Sequence, residues 1–203
     1  MQLQIAAGHN VIAALKPDVE IHCIFIADFK LPFDKDHNDS SIHRLYNGST
    51  WKPFPKKNLY LIKCEYACFY DMSNTSLAKF NAKQEILIDA VRINFKDCHI
   101  SNVFLRNLSK KLVKPPLLFD TRYCDQVDED VNFSTILAIF PQVTHIAFQK
   151  AYSGWLYDLA STGKKFHVVE VFNFDFENIF SFKPEELYDF VTVSFKLWLF
   201  EFL

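Results

Sequence analysis

The chain has 203 residues, of which half are hydrophobic and 22 are phenylalanine, and its formal net charge at pH 7 is −2. This length suits one domain with an ample hydrophobic core, and a nearly neutral chain lacks the basic face that a nucleic-acid partner requires. Only four glycines occur, none of them in a phosphate-cradling cluster, and no apolar run reaches the about 18 residues that predict a membrane span.

Residues 1–58 predict an irregular N-terminal segment. A short helix is expected at 11–15, and the partly alternating, β-branched stretch 19–29 favours a strand. Residues 32–55 are polar and punctuated by Pro, Gly, Asn and Asp, which predicts a long loop.

From residue 59 onward, strand and helix patterns alternate. Strands are indicated by alternating or continuous apolar runs, and helices by apolar residues that recur three and four positions apart. The predicted elements are, in chain order, a strand at 59–69, a helix at 77–89 capped by Ser76, a strand at 91–95, a helix from Ser101 to the Pro115-Pro116 pair, a strand at 117–119, a helix at 135–140 capped by Ser134, a strand at 143–148, a helix at 153–162, a strand at 166–172, a helix from Pro184 and a closing strand at 193–199. Connections of this length between strands require crossovers, and therefore a mainly parallel sheet.

One stretch carries a repeat signature. Residues 90–100 place apolar residues and Cys98 at the spacing L-x-x-L-x-L-x-x-C-x-L, which is typical of leucine-rich repeats. Weaker copies follow, and the anchor residues, which lie 24, 29 and 23 residues apart, are Ile93, Leu117, Ile146 and Val169. Leucine-rich repeats have about 20–29 residues each, so these steps fit the same period.

Stacked repeats bury their apolar anchors against one another. The sequence therefore predicts an α/β fold, a leucine-rich-repeat-like strand–helix array with a mainly parallel sheet at 59–203, after the irregular segment at 1–58. The alternative is a non-repetitive α/β domain with chance spacing.

The residues between the anchors are predicted to face the concave side of the array and to bind a partner. These candidate residues are Arg92, Asn94, Lys96, His145, Gln149, Glu170 and Phe172. Asp120 and Ala147 are predicted to face the same side. The alternative for each residue is an ordinary solvated position of a sheet.

The cysteines leave an odd count, which does not fit a framework of disulfides. They lie in or beside apolar runs, and they are Cys23, Cys64, Cys68, Cys98 and Cys124. The N-terminus lacks the charged region of a signal peptide, so we expect reduced, mostly buried thiols in a cytoplasmic or nuclear protein. Cys64-x-x-x-Cys68 has no second Cys/His pair, and neither a metal nor a cofactor is expected.

Three segments resemble the C-terminal region of nematode F-box proteins. Residues 91–105 look like its strand–helix unit, as do residues 139–148 with the following helix at Trp155. The Phe/Asn-rich stretch 171–176, closed by a Pro-Glu-Glu-Leu helix, is similar as well, so that the resemblance covers residues 59–203. It implies the capture of substrates for a Skp1–cullin ubiquitin ligase, in which the F-box docks the adaptor and the C-terminal domain binds the target.

The N-terminal region departs from that family. A helical F-box opening on Leu-Pro is expected there, whereas residues 1–50 hold one predicted helix and Leu31-Pro32 followed by a polar loop. The sequence therefore gives no F-box and no support for docking a Skp1-like adaptor. We expect a truncated or divergent paralogue that keeps the half that binds a protein target, with no nucleic-acid or membrane partner.

The leading hypothesis is thus a non-enzymatic protein–protein interaction module. One alternative is a structural partner subunit that uses the Phe-rich stretch 172–182 as an interface. A second is an enzyme whose site residues lie far apart in the sequence, since no G-x-S-x-G or H-E-x-x-H motif occurs.

Overall fold

The structure is a computed structural model, in which the described residues are 19–27, 43–46, 51–53, 59–83, 85–173 and 175–194. Within them the strands are β1 (Val19–Ala27), β2 (His43–Tyr46), β3 (Trp51–Pro53), β4 (Leu59–Tyr70), β5 (Glu85–Lys96), β6 (His99–Ile100), β7 (Leu118–Tyr123), β8 (Gln126–Val127), β9 (His145–Phe148) and β10 (Val168–Val171). The helices are α1 (Asn74–Lys83), α2 (Asn102–Ser109), α3 (Phe133–Ile139), α4 (Trp155–Ser161), α5 (Phe176–Ile179) and α6 (Pro184–Ser194). The helix predicted at 11–15 lies outside the described residues.

The main sheet has eight strands in the order β10-β9-β7-β5-β4-β1-β2-β3. The strands from β10 to β1 pair in parallel, whereas β2 and β3 pair antiparallel. Helices alternate with the parallel strands along the chain. The mixed α/β fold with a mainly parallel sheet is therefore confirmed.

The sheet extends into the N-terminal segment. β1 runs parallel to β4 from the Val19–Ile62 pair to the Ala27–Tyr70 pair, which confirms the strand predicted at 19–29 as far as Ala27. The loop predicted at 32–55 is wrong for β2 and β3, which pair antiparallel in the same sheet, with β3 at its edge. Pro53 fits there because an edge strand tolerates a residue that cannot donate a hydrogen bond.

A row of buried side chains crosses the parallel strands in register. Paired Cα positions run through Ala67, Ile93, Phe119, Ile146 and Val169, which are all buried. Successive members are 26, 26, 27 and 23 residues apart in the numbering. This spacing is compatible with stacked repeats, and the leucine-rich-repeat interpretation stays a prediction.

Leu117 does not belong to that row, so its prediction as an inward anchor is wrong. It precedes β7 and is 46% exposed, whereas Phe119 takes the buried position. The cause is a local break in the alternation of inward-facing and outward-facing side chains on β5. On β5 the buried positions pass from Ala90 to Ile93, three residues on, and Leu117 donates its N–H to the carbonyl of exposed Val91 at this irregular point.

The helix predicted at 77–89 is also wrong at both ends. α1 begins at Asn74 and ends at Lys83, and Leu87 and Ile88 belong to β5. Both side chains are buried, Ile88 in the main core and Leu87 in a small second cluster. A strand that is buried on both faces gives a continuous apolar run, which periodicity alone cannot distinguish from a helix.

The helices cover one face of the sheet with apolar stripes. α2, α3 and α4 each bury residues of this kind in the main core, namely Phe104, Leu105 and Leu108; Phe133, Ile136 and Leu137; and Trp155, Leu156 and Leu159. The helix predicted from Ser101 begins there, since Ser101 caps α2 and its Oγ accepts from the Phe104 N–H at 3.0 Å. The predicted end at Pro115-Pro116 is wrong, because α2 ends at Ser109. The cap of α3 is Asn132 instead of Ser134, because the Ser134 hydroxyl donates to Asp158 on α4.

Phenylalanine rings fill the space between this face and the helices. The rings of Phe69, Phe95, Phe119 and Phe140 follow one another at centroid distances of 5.4, 5.4 and 5.7 Å. Since aromatic pairs at this separation add to the free energy of area burial, the ring series links strands β4, β5 and β7 to the segment after α3.

Cys98 holds the turn that follows β5. Its Sγ accepts from the Met72 N–H at 3.4 Å and donates to the Phe69 carbonyl at 3.3 Å. A hydrogen bond to Cys98 and burial together raise the pKa of the neighbouring Cys124. The predicted burial is confirmed for Cys64, Cys98 and Cys124, Cys68 is half-buried, and the side chain of Cys23 lies outside the described residues.

The C-terminal predictions need two corrections. The strand predicted at 166–172 is shorter, since β10 covers Val168–Val171, and Phe176 begins helix α5. The helix predicted from Pro184 is confirmed and runs through Ser194. The closing strand at 193–199 is therefore wrong for its first two residues, and the rest of it lies outside the described residues.

Candidate functional site

The sheet face opposite the helices is named here the outer face. Side chains alternate along a strand, so the neighbours of the buried row point to this side. The outer face consists of Tyr66, Cys68 and Tyr70 of β4; Arg92, Asn94 and Lys96 of β5; Leu118, Asp120 and Arg122 of β7; His145 and Ala147 of β9 with Gln149 after it; and Val168 and Glu170 of β10 with Phe172 after it.

The seven residues predicted to bind a partner all lie on this face. Sheet register places Arg92 in one row with Leu118 and His145. The next row contains Asn94, Asp120, Ala147 and Glu170. Lys96, Gln149 and Phe172 follow at the carboxyl ends of β5, β9 and β10. Residues that are up to 80 positions apart in the chain, such as Arg92 and Phe172, are thereby brought onto one surface.

Arg122, which the sequence did not single out, connects β7 to β10 across the intervening strand β9. Its guanidinium lies 2.7 Å from Asp120 Oδ2 and 3.1 Å from Glu170 Oε2. The small side chain of Ala147 stands between those two carboxylates in the ladder, which lets the guanidinium pass over β9. The hydrogen bond to Asp120 raises the pKa of Arg122. Glu170 is therefore already paired within the protein.

Two cations of β5 lie over tyrosines of β4. Arg92 Cζ is 4.9 Å from the Tyr66 ring centroid, and Lys96 Nζ is 5.9 Å from that of Tyr70. Register explains both contacts, since Tyr66 pairs with Arg92 and Tyr70 with Lys96. Such contacts contribute about 0.5–1 kcal/mol at exposed sites, so they restrict the two long side chains without burying them.

His145 lies against a second histidine that the sequence prediction missed. The ring centroids of His145 and His167 are 5.2 Å apart, and His145 Nδ1 is 3.1 Å from Thr144 Oγ1. Burial, followed by the nearby charges of His167 and Arg92, lowers the pKa of His145. In the sheet register, Leu118 of β7 lies between Arg92 of β5 and His145 of β9.

Phe172 continues the edge of the sheet beyond β10. Its N–H donates to the Phe148 carbonyl at 2.9 Å, and its own carbonyl accepts from the Ala151 N–H at 3.0 Å. These two bonds fix the backbone, while the side chain is only half-buried. The backbone of Phe172 is therefore fixed, while part of its aromatic side chain stays exposed.

The Phe-rich stretch after it forms a separate exposed patch. Phe176 and Phe180 are 72% and 41% exposed, and their ring centroids lie 4.4 Å apart. Phe182 instead packs on Trp155 of α4 at 5.6 Å. For the alternative hypothesis of an interface formed by the Phe-rich stretch 172–182, the structure thus offers two exposed aromatic rings, one on α5 and one directly after it.

The outer face carries the kinds of side chain that bind other proteins. Arginine and aromatic side chains contribute most of the binding energy of many protein interfaces, and on the outer face they lie beside charged side chains that are ion-paired within the protein. Among the residues with described side chains, no three His, Cys, Asp or Glu are placed to hold a metal ion.

Comparison with known proteins adds no family: no protein-family model, no curated protein and no solved structure matches the chain. None of the helices in the described ranges is both long and apolar enough to cross a membrane. The structure defines a mixed α/β protein with a mainly parallel sheet and a polar–aromatic outer face.

Proposed function

We propose that this chain is a non-enzymatic protein–protein interaction module that binds a protein target through the outer face. The observation that carries the proposal is the register of the sheet. It gathers Arg92, His145, Glu170 and the other predicted binding residues from three strands onto one side. A broad surface built from several parallel strands is suited to docking a protein, because each strand contributes a few side chains to a continuous patch.

Two residues of the outer face are already restricted in the unbound protein, which supports this role. Arg92 is 41% exposed in its side chain yet held over Tyr66, and Phe172 is fixed through its backbone. Binding costs less conformational entropy when the contacting side chains are already restricted. These two residues combine restriction with exposure, and they are the expected anchors of the interface.

The relation to F-box proteins is the finer part of the proposal. It rests on the resemblance of residues 59–203 to the substrate-binding half of those proteins, and it implies a cytoplasmic or nuclear target of a ubiquitin ligase. A purified Skp1-like adaptor tests it. Since residues 1–50 contain no recognised F-box, we expect no binding of that adaptor by this chain alone.

Alanine variants of the two anchors test the main proposal. The tagged protein and its Arg92→Ala and Phe172→Ala variants are used to recover partners from cell extract. Each variant should lose about 1–3 kcal/mol of partner binding and keep its thermal stability within about 0.5 kcal/mol. The matched control is Tyr157→Ala, since Tyr157 is 81% exposed on α4, on the helical side of the sheet. Unchanged recovery by folded Arg92→Ala and Phe172→Ala proteins would contradict the proposal.

The exposed rings of Phe176 and Phe180 favour a second candidate function, a structural partner subunit that associates through this patch. Contiguous exposed aromatic surface is a feature of association sites. Light scattering after size-exclusion chromatography decides this candidate. A higher-mass species that Phe176→Ser and Phe180→Ser convert to monomer supports it, whereas a protein that is already monomeric before these changes opposes it.

A further inference from the structure

Two carboxylates fix the guanidinium of Arg122 on the outer face. Its Nε and Nη2 donate to Asp120 Oδ2 at 3.1 and 2.7 Å, and its Nη1 lies 3.1 Å from Glu170 Oε2. All three guanidinium nitrogens thus have a carboxylate partner. A guanidinium is planar, and its N–H groups donate within that plane. The pairing therefore uses the edges of the group and leaves its flat faces without a role.

Part of this guanidinium side chain remains open to a ligand. The side chain of Arg122 is 39% exposed although it makes these ion pairs. On β4 and β5 the corresponding cations already lie over rings, Arg92 over Tyr66 and Lys96 over Tyr70. Within the described ranges of the chain, no aromatic ring lies over Arg122 in this way. Arg122 therefore offers a partner the flat face of a cation whose charge is already paired.

An aromatic side chain neighbours this group. Val171 packs against the main core, so the residues on either side of it, Glu170 and Phe172, both face outward. Two positions along a strand correspond to about 7 Å. Since Arg122 reaches Glu170, its guanidinium ends close to the half-buried side chain of Phe172. A cation and an apolar ring are thereby presented side by side.

The charges at this point select against an acidic ligand. Asp120 and Glu170 supply two negative charges against the one positive charge of Arg122, so a ligand carboxylate would meet an excess of negative charge. The face of an aromatic ring complements a guanidinium instead, because the ring is negative on its face. Arginine commonly stacks on aromatic faces in this manner.

We propose that this part of the outer face binds an aromatic side chain of the target protein, which stacks on the guanidinium of Arg122 and packs against Phe172. The inference rests on the proposed function, because it names the chemical group of the target that the same face holds. The two carboxylates hold the guanidinium in place before binding, so stacking on it costs little side-chain entropy. An aliphatic side chain would gain the contact with Phe172 without the attraction to the cation.

Random 12-residue peptides displayed on phage are the probe, selected on the full chain. Enriched peptides should share a Trp, Tyr or Phe. Synthetic copies of the best peptide then carry phenylalanine, cyclohexylalanine or leucine at that position. Cyclohexylalanine keeps the size and apolar surface of phenylalanine and lacks its π electrons. It should bind about threefold more weakly than phenylalanine, and leucine about fivefold more weakly. Apolar packing alone predicts that cyclohexylalanine binds equally well or better.

A protein variant shows whether this preference for a π system belongs to Arg122. Arg122→Gln removes the positive charge and should bring the phenylalanine and cyclohexylalanine peptides within twofold of each other. A loss of structure alone would weaken both peptides equally and leave their ratio unchanged. The control is Arg106→Gln, an exposed arginine of α2 on the helical side of the sheet, which should keep the threefold ratio. If Arg122→Gln does not fold, the peptide comparison on the unaltered chain decides.

The outcomes separate this inference from the function on which it rests. Enriched peptides without an aromatic residue, but dependent on Arg92 and Phe172, overturn the aromatic-target inference and leave the binding role of the outer face standing. Equal binding of the phenylalanine and cyclohexylalanine peptides to the unaltered chain, or an unchanged ratio in folded Arg122→Gln, has the same meaning. Peptides whose binding ignores Arg92 and Phe172 overturn the outer-face function. A selection without enrichment also overturns the inference.

Discussion

Replacing Phe95 by alanine should remove a large part of the stability of the domain. Phe95 is 1% exposed, and its ring lies 5.4 Å from Phe69, 5.8 Å from Phe104 and 5.4 Å from Phe119. Truncation of a buried phenylalanine costs about 3–5 kcal/mol, against a total of about 5–15 kcal/mol for a typical domain. We therefore expect a decrease in melting temperature of about 10 °C for a chain of this size.

Phe176→Ala is the matched control for this change. It removes the same atoms from a side chain that is 72% exposed, so the free energy of unfolding should change by about 0.5 kcal/mol or less. Phe95→Leu keeps most of the apolar volume and should cost about 1–1.5 kcal/mol. Urea unfolding followed by circular dichroism measures all three. Equal unfolding midpoints for Phe95→Ala and Phe176→Ala would refute the assignment of the inner face of the sheet.

Three further predictions concern single groups. Burial and then neighbouring positive charge lower the pKa of His145, so the unfolded chain binds more protons than the folded protein. The free energy of unfolding should therefore fall as pH drops below about 6.5. Urea titrations from pH 8 to pH 5 should show a weaker decrease for His145→Gln. Cys98→Ala leaves the Met72 N–H without its 3.4 Å acceptor and should cost about 1–3 kcal/mol, more than Cys98→Ser, and Cys98 in the native protein should resist thiol reagents until unfolding. Gly163 follows α4 with φ 61°, so Gly163→Ala should cost about 1–2 kcal/mol from conformation alone, because nothing lies within 4 Å of an added Cβ; a melting temperature equal to wild type would contradict this.

The parallel strands could be predicted because the apolar residues at the centre of each strand form a distinctive pattern in the sequence. Ile93, Ile146 and Val169 lie in short β-branched runs separated by helical patterns, and all three occupy one buried row. Leu117 misled the prediction because the inward side of β5 changes between Ala90 and Ile93, and the same point of the neighbouring chain segment carries Leu117. A slip in the facing of a strand moves side chains to the other face, and only the paired strands define where it occurs.

The binding surface was predictable in its parts and not in its connections. Alternation alone places Arg92, Asn94 and Lys96 on the side opposite to Ile93. The ion pairs of Arg122 and the contact of His145 with His167 depend on which strands are neighbours and in what register. The pattern Asp120-x-Arg122, with both charges on one face of a strand, was the available signal for that network.

The helix at the C-terminus shows a further limit. The alternation that begins at Val193 suggested a strand, although Phe190 and Val191 are buried and Val193 is exposed within α6. The burial of two consecutive residues followed by exposure fits a helix on a core better than a strand.

Photo-crosslinking tests the central claim, that the outer face binds the target, most directly. A photoreactive amino acid is placed at Gln149, at Phe172 or, as the control, at Tyr157 on the helical side. The account predicts a covalent adduct with the same target protein from Gln149 and Phe172, and none from Tyr157. An adduct from Tyr157 alone, with none from the two outer-face positions in folded protein, would contradict it.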